Sequence, residues 1–244
     1  MTDSREEQVH HFADELTRTV RAVQPDSPKF TVDVTGTSEW LAAITTEDSK
    51  PVVLTIGGMR LLDLLVSYRC TISERHSWML IETSEFGVRP HNGGEWLVRM
   101  DYVHRPAEDV PCAHLHVHAH RDAWTFLMTR DGAGSRRRTV RRRASAGRVP
   151  QLSDVHFPLG GPRLRPTLED FLIMLIQDLG IDHEPDALRS LTTSREEWRR
   201  NQARAIISSS RDMAAEVLTE LGWAVTPPLD HEPRTDTVKW MTRY

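Results

Sequence analysis

PVVLTIGGMRLLDLLVSYRCTI, residues 51–72, separates a sheet protein from a helical one. Ahead of the glycine pair, Val52, Val53, Leu54, Thr55 and Ile56 are apolar or β-branched, the composition that suits a pleated, half-buried surface. Gly57 and Gly58 then supply the φ > 0 that a tight hairpin connection needs. The segment after the glycines is open: RLLDLLVS, residues 60–67, fits a returning strand or a helical turn. Read as a strand, it closes a hairpin and makes the neighbouring segments further rungs of one sheet.

The same pattern recurs on both sides of the hairpin. FTVDV, EWLAAIT, SWMLIET, EWLVRMDYV, HLHVHAH and WTFLMTR are short, rich in β-branched and aromatic residues, and separated by turn signals such as HNGG at 91–94. Over 30–129 they predict a meandering antiparallel sheet of six to eight strands, in a sheet domain spanning 30–165. Upstream, Val9, Phe12, Ala13, Leu16, Val20 and Val23 recur at helical spacing among charges, which predicts an N-terminal helix within 1–24, ended by QPDSPK.

Downstream, the prolines and paired glycines of HFPLGGPRLRP resist regular structure. Three helices are then expected in a region spanning 166–224 packed on the sheet, before a tail at 225–244. Thr167 with Asp170 caps LEDFLIMLIQDLG, which Gly180 ends; Ser194 with Glu197 forms a second capping box, opening EEWRRNQARAII; Ser210 and Asp212 mark a third start, stopped at Gly222. Strands and helices are segregated in this order, so the fold class is α+β and not a doubly wound parallel sheet. The chain has no GxGxxG, GxxxxGK[ST] or GxSxG, so nucleotide-fold and α/β-hydrolase readings lack their fingerprints.

Composition narrows the class further. A chain of 244 residues with 39% hydrophobic content can build a core. No run approaches the roughly 18–20 apolar residues of a membrane span, and MTDSREEQVHHF is charged where a secretory signal would be apolar. The expectation is a soluble, cytoplasmic protein with no membrane partner and with Cys70 and Cys112 reduced. The net charge of −4 conceals a basic island at 130–148, with eight arginines against one aspartate. Arg136, Arg137, Arg138, Arg141, Arg142 and Arg143 form its centre and are the candidate contacts to nucleic acid or to an acidic protein partner, since the guanidinium fork matches phosphate oxygens. Unpaired runs of like charge are also commonly just solvated surface.

HLHVHAH, residues 114–120, carries the candidate chemistry. On a strand, His114, His116, His118 and His120 share one face while Leu115, Val117 and Ala119 share the other. Two imidazoles can act as general base and general acid near neutral pH, which makes His114, His116 and His118, with His104 or His156, the candidate catalytic residues. No cofactor is required for that chemistry. A divalent metal is the alternative: one HxH pair plus a donor from His104, Asp101 or His156, with His116, His118 and His104 as the leading set. The metal-free version is favoured because no carboxylate or cysteine falls at short ligand spacing beside the HxH. A third option is a solvated or packed histidine face with no chemistry at all.

The HxH strand followed, after a gap, by HFPLGGPRLRPTLEDFLIMLIQDLG resembles the end of the TumE-type toxin family over about residues 95–180. That resemblance implies a twisted antiparallel sheet, an HxH-bearing strand and a closing helix. It also implies a bacterial, growth-inhibiting protein that is partnered by an antitoxin and acts on nucleic acid, with ribonuclease activity as the enzyme reading and non-catalytic docking as the other. The arginine-bearing insertion and the helices after residue 185 have no counterpart in the family.

Overall fold

The computed structural model describes residues 5–35, 41–72, 79–107, 110–119 and 145–230. Residues 51–72 fold as the hairpin: β3 (Val52–Ile56) turns through Gly57 and Gly58, at φ 59° and 77°, into β4 (Met59–Ile72). β4 is long enough to take two partners on one side. Its first half pairs with β3, from Val52↔Leu64 to Ile56↔Met59, and its second half pairs with β2 (Leu41–Thr46), from Leu41↔Thr71 to Thr45↔Ser67. β2 and β3 therefore lie end to end along β4, joined through a 3-10 turn at Glu47–Ser49. β1 (Phe30–Thr35) edges β2.

On its other side β4 pairs with β5 (Met79–Pro90), and the meander continues through β6 (Val98–Val103) and β7 (Ala113–Val117) to β8 (Phe157–Pro158). Every pairing in this eight-stranded sheet is antiparallel. HFPLGGPRLRP is more regular than its composition suggests, because β8 is a two-residue edge strand, where a proline is tolerated, and α2 (Gly161–Leu164) follows two residues later. The strand expected in WTFLMTR and the arginine-rich stretch lie outside the described residues.

The sheet buries one face. Leu62, Leu64, Val66, Tyr68 and Cys70 alternate inward along β4, level with Ala42 and Ile44 of β2, Val52 and Leu54 of β3, and Phe86 and Val88 of β5. α1 (Arg5–Arg21) lays Val9, Ala13, Leu16 and Val20 on that face, with Phe12 edge-on to Tyr68 at 5.1 Å. α3 (Leu168–Met174), extended by a π turn at Leu175–Leu179, adds Leu168, Phe171, Leu172 and Leu175. Each large apolar side chain buried this way stabilises the fold by about 1.5–3 kcal/mol before entropy is set against it.

The Thr167–Asp170 capping box is present: Thr167 Oγ1 accepts from the Asp170 amide at 3.0 Å and Asp170 Oδ2 accepts from the Thr167 amide at 3.1 Å. The helix expected to open at Ser194 instead runs as α4 from Ala187 to Ser209. The apolar stripe decides this, because Ala187 and Leu191 are buried in the core. The Ser194 hydroxyl donates to the buried Glu169 carboxylate at 2.7 Å rather than capping a helix. α5 (Arg211–Glu220) starts directly after Ser210, and Gly222 lies just past its end at φ 86°. Among the described residues no helix is long and apolar enough to cross a membrane. Cys70 and Cys112 are both buried as thiols, and burial pushes the Cys70 thiol up to about 12, which leaves it inert.

Candidate functional site

The polar face of the sheet, opposite the helices, collects the chemistry. β6 pairs with β7 so that Arg99 stands across from His116 and Asp101 across from His114, and paired residues in an antiparallel ladder share a face. Glu85 of β5 stands across from Asp101 in turn. The β7–β8 ladder pairs Leu115 with Phe157, and this brings the preceding residue, His156, beside His116. The three rings close on one another, with centroids 4.9 Å apart for His114–His116, 4.8 Å for His114–His156 and 4.6 Å for His116–His156.

Two of the imidazoles are oriented by backbone carbonyls. His114 Nδ1 lies 2.9 Å from the Pro111 oxygen, and His116 Nδ1 lies 2.8 Å from the Ser153 oxygen. A carbonyl can only accept, so each Nδ1 carries the proton and each Nε2 points away from its anchor. His114 and His116 are only 4% and 7% exposed, so neither ring is free to reorient into solvent.

Both Nε2 atoms face the same carboxylate oxygen: Asp101 Oδ2 is 3.3 Å from His116 Nε2 and 3.7 Å from His114 Nε2. That oxygen also accepts from Arg99 at 2.7 Å, and Arg99 reaches on to Glu85 at 3.4 Å. Asp101 Oδ1 is buried and makes no hydrogen bond among the described residues. Burial alone would raise the Asp101 carboxyl, but the His116 hydrogen bond and the Arg99 guanidinium outweigh it and hold the group below the usual carboxylate range. Glu85 moves the other way: burial and the neighbouring Asp101 charge raise it despite Arg99 and His116.

No family model, curated protein or solved structure matches the chain. The site therefore has to be read from its own geometry. Among the described residues, His114, His116 and His156 form a group placed to hold a metal ion, each offering one nitrogen, with the three nitrogens within 4.8 Å of one another.

This trio replaces the set His116, His118 and His104. His104 lies beyond the end of β6 with its Nδ1 3.1 Å from the Tyr102 hydroxyl, and Tyr102, next in sequence to Asp101, points to the opposite, helix-covered face. His118 is half-buried past the end of β7, where burial first, and then the Arg99 and His116 charges, lower its pKa. The arginines from Arg136 to Arg143, like His120, lie outside the described residues.

Arg99 and Glu85 belong to the site although the sequence pattern alone does not single them out. The signal was latent in the pairing: once EWLVRMDYV is laid antiparallel against HLHVHAH with Asp101 level with His114, Arg99 falls beside His116.

Proposed function

We infer that the protein acts on nucleic acid and cuts phosphodiester bonds in RNA at the polar face of β6 and β7. The observation that carries this reading is the convergence of three imidazoles with the Asp101 carboxylate and the Arg99 guanidinium on the sheet face opposite α1 and α3. Strand cleavage needs the 2′-hydroxyl to lose a proton, its oxygen to attack the adjacent phosphorus, and the 5′-oxygen to leave protonated. Imidazoles and a carboxylate serve the proton transfers, while Arg99 offsets phosphate charge.

Topology adds support. In sequence, Arg136, Arg137, Arg138, Arg141, Arg142 and Arg143 fall between β7 and His156, the two stretches that supply the cluster's histidines. A cytoplasmic toxin restrained by an acidic antitoxin is the biological setting that the TumE-type resemblance supplies for such an activity.

The test is direct. Purified protein is incubated with end-labelled RNA and DNA, and expression is induced in growing bacteria. Cleavage of RNA to 2′,3′-cyclic phosphate ends, lost in His116→Ala, is the expected result; an intact RNA pool at micromolar protein, with unimpaired growth, sinks the reading.

One observation favours a second reading. The His116–Ser153 bond staples the chain ahead of β8 onto β7, so the histidines also serve as a fastening that lets the basic segment dock on nucleic acid without chemistry. In that case binding to single-stranded RNA falls with salt at a log–log slope of about −4 for six arginine contacts, and deleting residues 135–143 abolishes it while RNA stays whole.

A further inference from the structure

We propose that His114, His116, His156 and Asp101 bind one divalent transition-metal ion of the zinc class. The inference goes beyond the phosphodiester-cleavage reading: it takes the same site but replaces imidazole proton transfer there, because a metal-bound ring has no lone pair left for a proton, and it stands on the geometry of the cluster.

The cluster holds an electrostatic mismatch. The carbonyls of Pro111 and Ser153 fix the Nδ1 protons of His114 and His116, so in the neutral rings the lone pairs sit on Nε2. Those lone pairs face the lone pairs of Asp101 Oδ2. Neutral rings would set acceptor against acceptor there, which only a cation relieves, either a proton in the His116–Asp101 hydrogen bond or a metal ion. Protons would serve one ring, but giving one to each would set two imidazolium ions with centroids 4.9 Å apart in a buried place, with the His156 ring against both. Like charges in a low-dielectric site repel strongly. A single metal ion satisfies all the nitrogens and the carboxylate together.

The distances suit that ion. Metal–ligand bonds of about 2.0–2.1 Å in a tetrahedron give ligand–ligand edges of about 3.3–3.4 Å. The Asp101 Oδ2 to Nε2 separations of 3.3 and 3.7 Å lie at or just beyond such an edge. The three ligand nitrogens, all within 4.8 Å of one another, would draw in toward that edge on binding. Asp101 also keeps coordination capacity, since its buried Oδ1 makes no hydrogen bond among the described residues.

The surroundings are those that metal-binding histidines require. A ligating imidazole almost always gives its other ring N–H to a carbonyl or carboxylate, which fixes the tautomer and the ring plane. His114 and His116 both do so, on two different stretches of chain. Three nitrogens and one carboxylate oxygen select zinc and its borderline neighbours over magnesium or calcium, which prefer all-oxygen shells. Arg99, bonded to Asp101 Oδ2, then becomes an outer partner that orients the carboxylate.

The experiment uses the full chain, stripped with chelator, titrated with zinc chloride by calorimetry and separately loaded with cobalt(II). The expected results are one zinc per chain and intense visible cobalt bands from a four-coordinate site. Affinity should fall at least about 100-fold in His156→Ala and about 10–100-fold in Asp101→Asn, with no change in His183→Ala, whose ring lies on an exposed loop. Circular dichroism checks that each variant is folded, and the cobalt spectrum of the wild type needs no variant at all. Failure of the wild type to hold zinc at micromolar concentration, or equal affinity in folded His156→Ala, overturns the proposal. Chelator-insensitive RNA cleavage without metal binding would sink the metal and leave the cleavage reading standing; tight zinc binding without cleavage would do the reverse.

Discussion

Gly87→Ala tests whether the fold and the site are as tightly coupled as the register implies. Gly87 is buried on β5 between Leu65 of β4 and Arg99 of β6. A Cβ there would collide with the Val98 carbonyl oxygen and would stand 2.8 Å from Arg99 Cα and 3.0 Å from Arg99 Cβ. Carbon atoms normally approach to about 3.5–4.0 Å, so β6 has to retreat by ~1 Å. The obstacles are chiefly backbone, and no side-chain rotation relieves them.

Overpacking of this kind costs about 1–3 kcal/mol, and each ladder hydrogen bond weakened by the retreat adds about 0.5–1.5 kcal/mol. A total of about 2–4 kcal/mol lowers the Tm of a chain this size by roughly 5–15 °C. The same retreat pushes Arg99 and Asp101 against His116 on the far side of β6, and a misplacement of ~1 Å costs a reaction about 100-fold. Thermal unfolding and zinc titration are the assays. A variant that unfolds within about 1 °C of wild type and binds zinc with wild-type affinity would show that β5 does not set the position of the site.

Two further substitutions probe the layers separately. Phe171, fully buried and packed at 5.6 Å on Phe86, should cost about 3–5 kcal/mol as Phe171→Ala. Its urea midpoint should fall with the slope unchanged, while the zinc affinity of the folded protein stays at the wild-type value because Phe171 lies on the helix side of the sheet. Asp182 accepts from the Gly57 and Gly58 amides at 2.9 and 2.7 Å, and the Gly58 hydrogen bond leads the causes that hold its carboxyl below the usual range. A lowered carboxyl contributes stability above its unfolded pKa and loses it as pH falls through its folded value. Asp182→Asn should therefore be less stable than wild type at pH 7, with the gap closing in acid below about pH 3.9. A gap independent of pH contradicts the role given to Asp182.

The sheet was legible because its signal is local. Gly57 and Gly58 mark the hairpin, and alternation from Leu62 to Cys70 settles RLLDLLVS as strand, with the odd member Asp63 taken up on the other face by His91 at 2.7 Å. What stayed hidden depends on contacts between distant segments. Ser194 and Glu197 match a capping box letter for letter, yet Ser194 is occupied by Glu169 of another helix. His156 is a candidate from the sequence, but it stands 40 residues beyond His116, and only the β7–β8 register makes the two neighbours.

No carboxylate falls at short spacing beside the HxH, and Asp101, a candidate donor together with His104 and His156, reaches the cluster through the sheet. Asp101 is remote from the HxH in sequence but directly across the ladder from His114. A search by short ligand spacing sees helices and turns well, and it misses ligands that a sheet supplies from the adjacent strand.

If His114, His116 and His156 act as one reaction centre, single-turnover RNA cleavage by His116→Ala, His156→Ala and the double variant will show it. Residues that work as a unit are not additive. Each single substitution should lower the rate by about 10³-fold or more, and the double variant should be no slower than the worse single. Rates near wild type in either folded single variant, or losses that multiply in the double variant, would mean that the three histidines do not work together.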